Sequence, residues 1–101
     1  MATRFVRTTQ NYASASTNRF IFVPTTAATQ VYITTGYNAM RIYNAGSHNL
    51  VWGGSGVQTN SGSFLFPSMA KEFENLSDSF SFHIIADSAN SFISVTEYIY
   101  G

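Results

Sequence analysis

Apolar residues recur along most of the chain with a period of two, in short runs that end at Gly, Asn, Ser or Pro. Many are β-branched or aromatic, and a period of two is typical of strands with one buried face rather than of helices. The pattern predicts seven to nine strands at intervals of about 8 to 12 residues. The clearest cover residues 18–23, 29–34, 39–44, 50–52, 63–66, 80–86 and 91–100.

One segment, 69–76, fits two structures. Met69, Phe73 and Leu76 have helical spacing behind a possible N-cap at Ser68, whereas the flanking segments alternate like strands. We predict a strand here, with a helix as the alternative. Turn residues also predict two hairpins, one that joins 29–34 to 39–44 and one that follows 50–52 through a Gly-rich turn.

Strands of this number and length close a core by stacking as two antiparallel sheets. The sequence therefore predicts an all-β fold, a single antiparallel β-sandwich of jelly-roll type, with an immunoglobulin-like sandwich as the alternative. Residues 18–101 are expected to form the sandwich, and residues 1–17 an N-terminal arm or edge strand. The alternation assigns these side chains to the core: Val31, Met40, Ile42, Ile84, Ile93 and Val95.

Composition limits the classes of function and partner that this chain is expected to have. A chain of 101 residues is one domain, and its charged fraction is 10% against about 25% in a typical protein. Five basic and five acidic residues cancel, so nucleic acid and anionic membranes are poor partners, and no apolar run marks a signal peptide or a membrane span. With 13 Ser and 11 Thr, the surface is expected to be polar but nearly uncharged, which favours association.

Candidate chemistry is sparse. Ser55 lies in Gly-Gly-Ser-Gly-Val, but Val57 occupies the closing position of a nucleophile elbow, and an all-β chain offers no strand-to-helix turn. His48 and His83 have no partner at metal-ligand spacing, and the chain has no Cys. The five acidic residues are scattered and are expected on solvated faces. We predict no catalytic residue, no metal and no cofactor, and hence no enzyme.

Outward-facing aromatic residues are the unusual feature. If the assigned core is correct, alternation sends Tyr32, Tyr43, Tyr98 and Tyr100 to the opposite face, and it places Trp52 opposite Val51. The protein's own strands and arm could cover these rings. The other interpretation is a protein interface, because Tyr and Trp are enriched at interface hot spots. The candidate interface residues are Tyr32, Arg41, Tyr43, Trp52, Tyr98 and Tyr100, with Arg41 pairing with a carboxylate at the rim.

Four segments from Arg41 onward resemble the small β-sandwich decoration, or cement, proteins of tailed bacteriophages and related head-fibre modules. They are 41–47 (RIYNAGS), 51–59 (VWGGSGVQT), 62–67 (GSFLFP) and 82–88 (FHIIADS). The resemblance covers about 60 residues and contains no catalytic signature. The low charge and the aromatic end, 98–100, depart from the pattern.

The resemblance implies a structural virion protein on the outer surface of the phage capsid, where a homotrimer binds between major capsid proteins and stabilises the head. Residues 1–17 would then be an extension that grips the shell. The alternative is a carbohydrate- or receptor-binding module of a phage fibre, in which Trp52 and nearby Tyr rings stack on sugars. A small cupin-like enzyme would require a His-rich metal cluster, which two distant His residues do not supply.

Overall fold

The structure, a computed structural model, describes residues 13–100. Within this range the chain forms eight strands and no helix, so the all-β prediction is confirmed. The described residues accordingly include no helical span long and apolar enough to cross a membrane. The strands are β1 (Ala13–Val23), β2 (Thr29–Tyr32), β3 (Ala39–Asn44), β4 (Leu50–Gly53), β5 (Ser63–Leu65), β6 (Ala70–Phe73), β7 (Ser81–Ala86) and β8 (Ser91–Tyr100).

The strands form two antiparallel sheets of four. Sheet A has the order β1-β8-β3-β6, and sheet B has the order β2-β7-β4-β5. Successive strands change sheet at every step except from β4 to β5, and the first strand lies beside the last. This is the double Greek-key winding of a jelly roll. The jelly-roll prediction is therefore confirmed, and the immunoglobulin-like alternative, whose sheets combine other strands, is wrong.

Two local predictions about pairing have different outcomes. The predicted hairpin of 29–34 with 39–44 is wrong, because β2 pairs with β7 in sheet B while β3 pairs with β8 and β6 in sheet A. The intervening segment crosses from one sheet to the other, with Ile33 buried and Gly36 at a φ of 95°. The second hairpin forms, since β4 pairs with β5. In the ambiguous segment, 69–76, residues 70–73 form β6, so the strand prediction is confirmed there and the helical alternative is wrong.

The boundary predicted after residue 17 falls inside a strand. β1 begins at Ala13 and continues to Val23, where Pro24 ends the ladder, and it pairs with β8 over this whole length. Residues 13–17 are thus part of an edge strand. The first twelve residues of the predicted arm lie outside the described residues.

The main core lies between the sheets. All six predicted core side chains are buried there, together with others from both sheets. Trp52, Phe73, Phe80 and Phe82 line one margin of this core, with ring centroids 5.2–6.4 Å apart in the contacting pairs. Offset and edge-to-face contacts of this kind stabilise beyond the area they bury.

A second, smaller cluster covers the outer face of sheet B. It consists of Val51, Val57 and Ile85, with Ala28 packed against it. Val51 is paired with Ile85, so both point outward and are covered by loops. The prediction that Val51 faces the core and Trp52 the outside is therefore wrong: the loop after β4 folds back over Val51, and Trp52 packs against the main core.

Candidate interaction face

Three phenylalanine side chains lie exposed on the outer face of sheet A. Phe20 is 67% exposed, Phe22 49% and Phe92 52%, and the rings of Phe22 and Phe92 meet edge-to-face with centroids 5.5 Å apart. A cluster of large, solvent-exposed apolar side chains is unusual on the surface of a monomer and marks an interaction site. We call these three residues the Phe patch.

The register of β1 and β8 creates the Phe patch. Phe22 lies opposite Phe92 and Phe20 opposite Ser94, and directly paired residues of an antiparallel ladder point to the same face. β1 carries apolar residues at four consecutive positions, and burial of Val23 and partial burial of Ile21 against the core turn Phe20 and Phe22 to the outside. Both Phe20 and Phe22 remain exposed in the described part of the chain.

Neutral polar groups border the Phe patch along the same face. The Asn18 amide donates hydrogen bonds to the hydroxyls of Ser94, at 2.9 Å, and Thr96, at 2.8 Å. On the neighbouring strand β3, Arg41 pairs with Thr96 and Tyr43 pairs with Ser94, so both side chains lie on this face as well. An apolar centre with a hydrogen-bonding rim is the usual anatomy of a protein interface.

The charged groups beside this rim are paired with each other. The Arg41 guanidinium lies 3.6 Å from the Glu72 carboxylate and 5.8 Å from the centre of the Tyr43 ring. Both members of the ion pair are substantially exposed, so it contributes at most about 1 kcal/mol to stability. The outer face of sheet A therefore presents little net charge.

A second apolar patch lies on the edge strand β5 and the turn after it. The rings of Phe64 and Phe66 stack with centroids 5.7 Å apart, and Met69 is exposed beside them. Asn44 holds this turn: its backbone carbonyl accepts from the Ser68 amide, and its buried side chain donates to the carbonyls of Leu65 and His48. The patch lies on sheet B, so a partner on the outer face of sheet A would not cover it.

Four of the six predicted interface residues share the outer face of sheet A. Arg41 and Tyr43 lie on β3, and Tyr98 and Tyr100 lie near the end of β8, away from the Phe patch. Tyr32 is exposed, but it lies on β2 in sheet B. Trp52 packs edge-on against Phe73 and Phe82 with the Lys71 ammonium 5.9 Å from its ring, so it is a core-margin residue rather than an open platform.

Tyr98 and Tyr100 form the other notable feature of this face. Their rings stack with centroids 5.6 Å apart and border an open hollow that also contains Arg41, Glu72 and Glu74. Asn38 fixes the end of β8 in place: its backbone amide donates to the Tyr98 carbonyl, its side-chain amide donates to the Tyr100 carbonyl, and its side-chain oxygen accepts from the Tyr100 backbone amide. Partial burial raises the pKa of the Tyr100 hydroxyl, and the negative charges of Tyr98, Glu72 and Glu74 raise it further.

Glu97 is fully buried, which corrects the prediction that the acidic residues all lie on solvated faces. One carboxylate oxygen, Oε1, accepts from the Arg19 guanidinium at 2.5 Å and from the Thr34 hydroxyl at 2.8 Å. The other, Oε2, accepts from the Thr34 backbone amide at 2.6 Å. Arg19 also donates to the Tyr32 carbonyl at 2.8 Å. A charge can be buried when it is paired and hydrogen-bonded in this way.

Sequence reasoning did not assign the Phe patch residues of β1 to an interface. The available signal was the run Phe-Ile-Phe-Val at 20–23, which is apolar on both faces of one strand. Sheet order supplies the missing information, since such a run is expected in a central strand and β1 is an edge strand.

No three His, Asp or Glu side chains among residues 13–100 come together as a metal site. His48 is exposed in the loop after β3, and His83 lies half-buried on β7.

Comparison of the chain with protein family models, curated proteins and solved structures found no match.

Proposed function

We propose that this protein is a structural component of a tailed-phage particle, a decoration or cement protein that binds major capsid proteins on the outside of the head. In this proposal the outer face of sheet A is the docking face. The observation that carries it is the Phe patch, three exposed rings on adjacent strands with a neutral hydrogen-bonding rim.

The energetics favour a covered face. Burial of one large side chain contributes about 1.5 to 3 kcal/mol, so three exposed rings represent several kcal/mol that a partner would recover on docking. Edge-to-face packing of Phe22 on Phe92 holds two of the rings in place before binding, which reduces the entropy lost when the partner docks.

The charge balance fits a crowded shell. Five basic and five acidic residues in the whole chain leave no net charge, so neighbouring copies on a head would not repel one another. The fold itself is shared by proteins of many functions and carries no weight here. The resemblance of the segments from Arg41 onward supplies the type of particle.

Co-sedimentation with undecorated phage shells tests this function. The expected result is saturable binding with an affinity that changes little with salt, because the contact is apolar and neutral. When heads that contain DNA are heated, bound protein should raise the temperature at which the genome is released. Absence of saturable binding on shells that are competent for other decoration proteins would overturn the proposal.

A second function, glycan binding by a fibre module, has one observation in its favour. The stacked Tyr98 and Tyr100 rings beside Glu72, Glu74 and Arg41 combine an aromatic surface with hydrogen-bonding groups, as sugar sites require. The original candidate, Trp52, does not supply an open ring. Glycan-array binding that Tyr100→Ala abolishes, with no affinity for shells, would favour this function over decoration.

A further inference from the structure

The four edge strands of the sandwich differ in a way that matters for assembly. β2, β5 and β6 have 4, 3 and 4 residues, and β6 carries Lys71 and Glu72. β1 has 11 residues. Short length and charged side chains are the usual devices that prevent an edge from pairing with another chain. β1 is long, and Arg19 is its one charged residue.

The one charged residue of β1 does not guard its edge. Arg19 turns toward the interior, where it bonds Glu97 and the Tyr32 carbonyl within its own protomer. The register shift in the ladder with β8 is confined to Ala13 and Ala15. From residue 16 to residue 23, β1 is therefore a regular ladder whose one charged side chain is paired within its own protomer, and no strand of the described chain lies on its second side.

We propose that β1 pairs with β1 of a second copy of this chain, antiparallel and across a two-fold axis, so that the two copies of sheet A become one continuous eight-stranded sheet. Self-pairing suits this edge, since a two-fold axis matches the hydrogen-bonding groups of an antiparallel strand to those of its own copy. The chain's zero net charge removes the repulsion that identical partners usually face.

The side chains favour an axis near Ile21. Pairing centred there sets Phe20 of each copy opposite Phe22 of the other, and both pairs fall on the outer face because paired residues share a face. The two Phe patches then merge into one apolar area at the centre of the joined sheet. This inference extends the proposed function, because it doubles the docking face, but it concerns a contact that forms without any shell.

The contact is small. Phe20 and Phe22 expose roughly 100 Å² each, so with the backbone edge the buried area falls below the ~800 Å² per partner of a standard interface. We therefore expect a reversible dimer with a dissociation constant on the order of 0.1 mM, which high local concentration on a shell would strengthen.

Analytical ultracentrifugation of the full-length chain, without shells, tests the contact. The wild type should dimerise as its concentration rises. Phe20→Lys places a cation near the axis and should weaken the dimer at least about tenfold, whereas Phe92→Lys, the same change on the central strand β8, should alter it less than about threefold. A monomer at all concentrations up to about ten times the expected constant, a trimer, or equal loss in both variants would overturn the inference.

Disulfide trapping fixes the geometry, because the chain has no Cys of its own. Single cysteines introduced in turn at positions 17 to 22 should crosslink two copies only next to the two-fold axis, since equivalent residues two positions from it are too far apart for a disulfide. Equal crosslinking at every position, or none, contradicts antiparallel pairing. A wild-type protein that binds shells but forms no dimer would reject this inference alone. A wild-type dimer that does not bind shells would reject the proposed function alone.

Discussion

The Arg19 guanidinium and the Glu97 carboxylate meet at 2.5 Å inside the sandwich, although 78 residues separate them along the chain. The contact joins the first described strand to the last. Through Thr34 and the Tyr32 carbonyl, the same two side chains also tie sheet A to the end of β2 in sheet B. It thus fastens the edge strand that carries two of the three Phe patch rings.

Loss of this carboxylate should be costly. Glu97→Gln leaves the Arg19 cation without its counter-charge and removes one acceptor for Thr34, and we expect about 2 to 3 kcal/mol of lost unfolding free energy, less than for a fully buried pair because Arg19 is partly exposed. Urea denaturation measures the change. The matched control, Glu72→Gln, removes the exposed partner of Arg41 and should cost less than about 1 kcal/mol. Equal costs would show that the buried pair has no special role.

A glycine holds the loop that covers the outer side of sheet B. A Cβ on Gly62 would lie 2.6 Å from the Val57 side chain, 2.7 Å from Val51 and 2.8 Å from the Trp52 carbonyl oxygen, and its φ of 154° is itself unfavourable for other residues. Gly62→Ala should therefore lower stability by about 2 kcal/mol, or roughly 8 to 16 °C in melting temperature. Gly54→Ala, in the same loop with open space around it, should shift the melting temperature only slightly. A Gly62→Ala protein as stable as wild type would contradict the packing of this loop.

The hydroxyl of Tyr100 should ionise at a higher pH than that of an ordinary tyrosine. Partial burial raises its pKa above the ordinary value of about 10, with further contributions from Tyr98, Glu72 and Glu74. Because the folded state then holds this proton more tightly than the unfolded state does, Tyr100 makes stability fall as the pH rises above about 10, and it adds no pH dependence below that. Tyrosine ring NMR signals followed through an alkaline titration measure the midpoint. Tyr98→Phe should lower the Tyr100 midpoint, and a wild-type midpoint at or below 10 would be inconsistent with this environment.

Alternation along the sequence was sufficient for strands with one buried face. In β3 and β8 the inward positions Met40, Ile42, Ile93 and Val95 are buried as predicted. It was insufficient where both faces of a strand are covered, as for Val51 and Ile85, because a loop outside the ladder covers their outward side chains. The period of two cannot show which loop folds over which strand.

Burial of Glu97 was beyond sequence reasoning for a different reason. Alternation does place it in the inward series with Ile93 and Val95, but an isolated carboxylate is too costly to bury, so a solvated position is the rational expectation. The guanidinium that makes burial possible lies on β1, and only the pairing of the first strand with the last brings the two together. The six predicted interface residues lie on two different sheets for the same reason. Only the order of strands in the sheets places Tyr32 in sheet B and Tyr43 in sheet A.

Shell binding by two single-site variants tests the docking face most directly. Phe92→Lys removes one ring of the Phe patch and places a charge on the outer face of sheet A, whereas Tyr32→Lys makes a comparable change at a similarly exposed ring on sheet B. With both variants confirmed as folded by circular dichroism, we predict that Phe92→Lys binds undecorated shells at least about tenfold more weakly than wild type and that Tyr32→Lys binds as wild type does. Wild-type affinity for Phe92→Lys, or the larger loss in Tyr32→Lys, would contradict the assignment of sheet A as the docking face.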